Sequence, residues 1–383
     1  MSMRSGSLLA NNNDEFSLSL TKRISRRVKD AVHTNRYLSS LYEATQRRAR
    51  DRTFALHLDH CIGRATSWRT AREVRTIALA QIQTLQSSAE PAARKGSPSI
   101  NRLRADELAW LRDAVQDNAQ PLTNGALDAA AKIASLEPVS DTAFTLYLAV
   151  LWLCNETVIG SLRSHARARV VVHLTCAPRL ARADASIHSF DAAAATLDHV
   201  KLVGNECSFC LDTTTAVLGV PTGDGYEFLP QKVFHGLAIL TLACNPSCIL
   251  KIDDDHRLRS SAALNSLLQQ AADSSEPLQL GEINRTALPS AHHRAWHFGK
   301  CSLAALNTRV LEMPTPAKWA AGSAGYILNR PALWRVLWAS LYYRAWLEQI
   351  LYEDIALAEL AAKTGIRIVD VRMQSAITAV SEY

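Results

Sequence analysis

The sequence predicts an α/β protein: a mostly parallel central sheet in the C-terminal part, preceded by an α-helical N-terminal region. Three observations carry this. Short β-branched, apolar runs such as Arg169–Thr175 (RVVVHLT) and Ser247–Ile252 (SCILKI) have the composition of buried parallel strands. Amphipathic helical stretches alternate with them from about residue 165 onward. Before that point the chain is helix-prone and contains no convincing strand.

The elements follow in order. Residues 1–20 are rich in Ser and Asn and are expected to be disordered. Residues 21–95 read as a basic helical region that ends in a linker at Ser87–Ser99 (SSAEPAARKGSPS). Residues 96–164 read as further helices, with Leu108, Leu111, Val115 and Ala119 on one face. The α/β domain spans 165–383. Within it a helix is expected around Ala185–Asp198, with strands at Val200–Val203, Cys207–Leu211 and Ala216–Val220. A helix over Gln231–Cys244 is stopped by Pro246. A long helix from Pro331 to Leu351 carries Trp334, Trp338 and Trp346, whose spacing argues for core packing. The last helix closes at Gly365, before a strand at Ile366–Val371.

The 383 residues are 48% hydrophobic and 20% charged, which excludes a wholly disordered chain and a disulfide miniprotein. The first hundred residues hold 17 Lys+Arg against 8 Asp+Glu, a net of +9, whereas the rest carries −3. A solvated, Arg-rich helical surface is the first reading of that excess. A peripheral contact with a membrane surface or an acidic partner is the second, and nucleic acid is not expected. The most apolar stretch, Ala143–Cys154, is shorter than the roughly 20 residues that cross a bilayer. Residues 1–20 show no export signal, so the eight cysteines read as free thiols and the location as cytoplasmic. A Cys₄ zinc site from Cys207, Cys210, Cys244 and Cys248 is disfavoured, because Cys207 and Cys210 would point to opposite faces of a strand.

Chemistry concentrates in two acidic motifs. Asp253, Asp254 and Asp255 follow directly on a buried strand, where open α/β sheets bind ligands. Three adjacent carboxylates repel one another, and a hard divalent ion bridging them to substrate phosphates would neutralise them. A solvated acidic turn is the competing reading. About 100 residues later Tyr352-Glu353-Asp354-Ile355 opens a helix. Its acids suit the helix dipole, and one of them also suits a general base for an attacking hydroxyl. Between the two, Gly322 and Gly325 allow close backbone approach to a ligand, ahead of the short strand at Tyr326. Arg179 and Arg182 follow the first strand, where they would contact a nucleotide or simply be exposed. His292, His293 and His297 sit in a polar loop and read as solvated.

Together these segments resemble the β-1,3-galactosyltransferase family, which includes the Fringe-type transferases. The resemblance covers roughly 165–375 and rests on five segments in the family's order. These are Tyr226–Lys232, Ile249–Asp255, Arg294–Lys300, Gly322–Asn329 and Tyr352–Ile355. Pro230 stands where the family has Thr, Ser323 and Ala324 stand where glycines are common, and no histidine follows His297.

The resemblance implies a GT-A fold and inverting, metal-dependent transfer of a hexose, of galactose or N-acetylglucosamine type. The donor would be a UDP-sugar and the acceptor a glycan or other hydroxyl. It further implies Mn²⁺ (or Mg²⁺) on Asp255 and Asp253, and donor contacts from Asp253, Asp254, Arg179, Arg182 and Lys232. Asp354 would be the base. Trp296, Gly322, Gly325, Tyr326 and Glu353 would line the donor and acceptor loops. The alternative is a degenerate module of the same fold that binds without catalysis and docks to a membrane or polyanion through its basic N-terminal region.

Overall fold

The structure is a computed structural model that describes residues 58, 60–92, 98–117, 122–136, 141–165, 168–190, 197–205, 207–284, 295–308 and 318–380. The chain divides into Met1–Leu56 and His57–Tyr383, and every described residue belongs to the second unit. The expected disordered start, most of the basic region, and His292 and His293 lie outside the described residues.

Following a helical stretch at residues 60–67, five helices form the N-terminal layer. They are α1 (Ala71–Ala92), α2 (Pro98–Gln116), α3 (Asn124–Leu136), α4 (Asp141–Cys154) and α5 (Glu156–His165). α1 runs through the first half of the expected linker, whose Ser, Ala and Glu residues tolerate a helix; 93–97 lie outside the described residues. α4 is mostly apolar, and every residue from Ala143 to Leu153 except Tyr147 is buried, as suits a helix inside a core. No single described helix is long and apolar enough to cross a membrane. α1 packs on α4, and Arg163 of α5 donates to the carbonyls of Trp68 (2.6 Å) and Ala243 (3.1 Å). One guanidinium thereby ties the helical layer to the sheet domain.

The sheet domain is built on eight strands. These are β1 (Arg169–Leu174), β2 (Asp198–Gly204), β3 (Cys210–Asp212), β4 (Val217–Val220), β5 (Cys248–Asp253), β7 (Leu278–Gly281), β10 (Tyr326–Asn329) and β11 (Arg367–Asp370). Short pairs outside it join β6 (His256–Leu258) to β12 (Ile377–Ala379), and β8 (Ile283–Asn284) to β9 (Trp319–Ala320). The sheet order is β11-β7-β10-β5-β1-β2-β4-β3. β1, β2, β4 and β5 run parallel, as do β7 and β11, while β10 and the edge strand β3 are antiparallel. The fold is therefore α/β with a mostly parallel sheet.

Its remaining helices are α6 (Leu180–His188), α7 (Leu229–Cys244), α8 (Ser261–Asp273), α9 (Arg330–Tyr342), α10 (Arg344–Leu347) and α11 (Glu353–Thr364). Cys248, Leu250 and Ile252 of β5 join Leu264 and Leu268 of α8 in one core. The strand's period of two puts Ile249, Lys251 and Asp253 on the other face. The expected single helix from Pro331 breaks at Tyr343, which leaves helical geometry (φ −108°, ψ 17°) and lets Leu347 and Leu351 turn inward.

Local sequence fixes the ends of these elements. α7 stops at Asn245 in the left-handed conformation (φ 43°), and α11 stops at Gly365 (φ 70°). Asn329 caps α9 while fully buried. Its Oδ1 accepts from Ala332 N (3.1 Å) and Leu278 N (2.9 Å), and its Nδ2 donates to the carbonyls of Ser274 (3.1 Å) and Glu276 (2.7 Å). Asn329→Ala strands all four groups and is expected to cost about 2 kcal/mol or more. Urea unfolding should show a lower midpoint at an unchanged slope.

Candidate active site at the carboxyl edge of the sheet

The two acidic motifs meet. β1 and β5 are parallel and in register at Leu174 and Asp253, so the turns that follow them open on one edge of the sheet. β10 runs the opposite way and pairs Tyr326 with Lys251, which brings the Gly322–Gly325 turn to that same edge. The N-terminus of α11 supplies Glu353 and Asp354. Lys251 bridges the motifs: its Nζ lies 2.8 Å from Asp253 Oδ1, 2.7 Å from Glu353 Oε1 and 3.3 Å from the Gly322 carbonyl. The side chain of Lys251 is only 2% exposed. Burial opposes its charge, but Asp253 and Glu353 outweigh that and hold its pKa well above the usual lysine value.

Asp354 is seated by backbone donors. Its Oδ2 accepts from Gly322 N (3.0 Å) and its Oδ1 from Ile355 N (2.9 Å). Burial raises its pKa against the pull of those N–H groups. Glu353 is more deeply buried, and burial pushes it up to about 7 against the pull of Lys251. Gly322 has no room for a side chain, because a Cβ would lie 2.9 Å from Glu353 Oε1. Gly325 has φ 77°, and a Cβ there would meet the Lys251 carbonyl at 3.1 Å.

Each carboxylate of the triplet has partners from the chain itself. Asp254 Oδ2 accepts from Thr175 Oγ1 (2.8 Å), and its Oδ1 lies 3.5 Å from Arg182 Nε. Asp255 Oδ2 lies 3.2 Å from Arg182 Nη2, and its Oδ1 lies 3.1 Å from His256 Nδ1. The neighbouring His256 is the leading cause that holds the Asp255 carboxyl below the usual range. The mutual repulsion that called for a divalent ion is eased by Lys251 beside Asp253 and by Arg182 beside Asp254 and Asp255. Among the described residues no group of three or more His, Cys, Asp and Glu side chains is arranged to hold a metal ion. Asp253 and Asp255, already ion-paired, do not fit a pre-built divalent site.

Other expected site residues have different duties. Lys232 does not face ligand space. It is buried in α7 and donates to the Thr175 carbonyl (3.0 Å), the Asp224 carbonyl (3.2 Å) and Asp224 Oδ1 (2.6 Å). It fastens the loop after β4 to the end of β1, the same loop in which Asp224 Oδ1 accepts from Gly204 N (2.8 Å). Tyr326 is likewise fully buried behind the edge, its ring 5.6 Å from Lys251 Nζ. Residue type was legible in both cases, but the side of the backbone on which the pocket opens was not.

Trp296 is 48% exposed, with Lys300 Nζ 3.7 Å from its ring centroid. His297 departs from the solvated reading and is fully buried. Its Nε2 lies 2.8 Å from the Leu306 carbonyl, which can only accept, so Nε2 carries the hydrogen. Nδ1 then accepts from the Tyr352 hydroxyl at 2.6 Å. Glu227 holds the same segment from below by accepting from Ser302 N (3.1 Å) and Ser302 Oγ.

Sequence reasoning missed Lys251, Lys300 and Tyr226 as site residues. A signal existed for Lys251: a lone cation in an apolar strand, two residues from Asp253 and so on the same face. Tyr226 lies within electrostatic reach of Asp253, Glu353 and Asp354, and burial raises its pKa. Elsewhere, a cavity of about 690 Å³ lined by Arg75, Asn124, Cys154, Glu156, Cys207 and Phe209 contains none of these residues. The chain matches no protein-family model, and no curated protein matches it.

Proposed function

We propose that this chain is an inverting glycosyltransferase of GT-A type that moves a hexose, of galactose or N-acetylglucosamine type, from a UDP-sugar to a hydroxyl acceptor such as a glycan. The observation that carries the reading is the Lys251 bridge, which brings a strand-end acidic turn and a helix-N-terminal carboxylate pair into one site. The separation of duties suits a single in-line displacement. The acceptor oxygen bonds to the anomeric carbon as the bond from that carbon to the phosphate oxygen breaks. UDP leaves with the bonding electron pair, and the acceptor proton passes to Asp354.

Asp354 suits the base role because both its oxygens are aimed by backbone N–H groups. An anion accepts two such bonds and keeps lone pairs for a proton. Tyr226 supplies an aromatic neighbour within its electrostatic reach. No step is routed through a metal ion, since the carboxylates expected to hold one are engaged by the chain.

The assay is UDP release from UDP-galactose and UDP-N-acetylglucosamine with a panel of glycan acceptors. An increase in UDP release that depends on acceptor supports the reading, and its absence with every donor speaks against it. The base must be ionised to act, and burial raises the Asp354 pKa. Turnover should accordingly rise with pH through a midpoint above the free-aspartate range of about 3.9. A plot of log kcat against pH that is already flat at pH 4 would contradict this.

A further inference from the structure

We infer that His297 is a positioning residue for the transfer: through the Tyr352 hydroxyl it sets the start of α11, and with it the carboxylate of Asp354. This rests on the transferase reading and adds the support on which its base stands.

The first ground is how α11 begins. Asp354 is its second residue, and Tyr352 immediately precedes its first turn. The Tyr352 carbonyl accepts from Ala356 N at 3.0 Å, so this residue already belongs to the helix's hydrogen-bond ladder. Its side chain does not cap the helix, and tyrosine is not a residue that ordinarily does. Tyr352 is buried instead, with its hydroxyl 2.6 Å from His297 Nδ1. The chain enters α11 from residues 350–352, which belong to no helix or strand, so no regular element fixes the direction of entry.

The second ground is what His297 stands on. The loop at residues 295–308 is bonded to itself. Lys300 N donates to the His297 carbonyl (2.9 Å), and the Asn307 side chain accepts from Cys301 N (3.0 Å) and donates to the Cys301 carbonyl (2.8 Å). Glu227 ties the loop to the 3-10 turn Tyr226–Phe228 by accepting from Ser302 N at 3.1 Å. His297 is fully buried in this frame, and its Nε2 donates to the Leu306 carbonyl at 2.8 Å. That bond fixes the hydrogen on Nε2, so Nδ1 accepts and Tyr352 donates. A neutral imidazole has one donor and one acceptor, and both are committed here.

The consequence falls on Asp354. Its Oδ2 reaches from α11 to Gly322 N, in the turn before β10, at 3.0 Å. That bond holds only while the start of α11 keeps its place beside the turn. A supporting shell that lets a reacting group drift by about 1 Å can cost up to about 10²-fold in rate.

The test is steady-state kinetics of the full chain with UDP-sugar and acceptor, run below the melting temperature of each variant. Tyr352→Phe deletes only the hydroxyl and should lower kcat by about 10- to 100-fold, while the donor KM stays within about threefold of the parent's. His297→Asn and His297→Gln separate the two bonds of the ring. The Asn amide oxygen stands near the place of Nδ1 and can still accept from Tyr352, whereas the Gln amide reaches the Leu306 carbonyl and leaves Tyr352 without its acceptor. His297→Asn should therefore retain most of kcat, and His297→Gln should match Tyr352→Phe. A merely structural role would lower the melting temperature in both and leave kcat per folded molecule unchanged. Tyr352→Phe carries the test by itself should either His297 variant fail to fold. A kcat for Tyr352→Phe within about threefold of the parent's overturns the inference and leaves the transferase reading standing. So does a kcat in His297→Asn as low as in His297→Gln, or a loss that falls on donor KM alone. A parent chain without acceptor-dependent UDP release overturns both.

Discussion

Asp354→Asn lowers turnover by about 10²–10⁴-fold, the range expected when a positioned general base is removed, while the KM for the donor stays close to that of the parent. The substitution keeps the size of the side chain but removes its ability to take a proton. In the structure Asp354 lies at the start of α11 and reaches across to Gly322 N at 3.0 Å, so its orientation is set by the backbone. Its hydrogen-bond partners are backbone N–H groups, which is why donor affinity should survive. Gly322 N and Ile355 N are served by different oxygens of Asp354, and an amide in the same orientation sets an NH2 group against one of them, so the variant should also lose about 1–3 kcal/mol of stability. Steady-state kinetics below the melting temperature separate the two effects. If kcat is unchanged while UDP still binds, the base lies elsewhere; a parent chain that binds UDP but shows no turnover is a binding module.

Lys251→Met has the largest expected effect on folding. Lys251 is buried among Asp253, Glu353, the Gly322 carbonyl and the Tyr326 ring. Removing one member of a buried ion pair leaves the other uncompensated and costs about 3–5 kcal/mol. Most of that cost should come from Glu353, which is 5% exposed and takes its charge compensation from Lys251. The double variant Lys251→Met/Glu353→Leu removes both members and should recover much of the loss. Urea denaturation of the parent, the two single variants and the double variant measures the coupling. A coupling near zero would mean that the bridge between the motifs contributes nothing.

The sheet was largely legible. Arg169–Thr175 and Ser247–Ile252 are apolar, β-branched runs, and the structure places strands at Arg169–Leu174 and Cys248–Asp253. Asn245 and Gly365 end their helices through left-handed backbone, which short-range chemistry dictates. The break at Tyr343 was not legible, because it is set by where Leu347 and Leu351 find a core and not by a Gly or Pro in the chain.

The site was legible in its acids and opaque in its compensation. Repulsion within the triplet could be read from three adjacent aspartates. That Arg182 and Lys251 relieve it depends on which way one side chain of α6 and one of β5 point. His297 shows the same limit: a polar neighbourhood in sequence gave no sign of the Tyr352 hydroxyl waiting 55 positions later to bury it.

The most direct test of the central claim, that the two acidic motifs form one transfer site, is the anomeric configuration of the first-formed product. Proton NMR of a reaction started from an α-linked UDP-hexose reads it. The account predicts a β-linked product, formed by the parent chain and suppressed in Asp354→Asn. A retained α-linkage, or equal product from the two proteins, would contradict it.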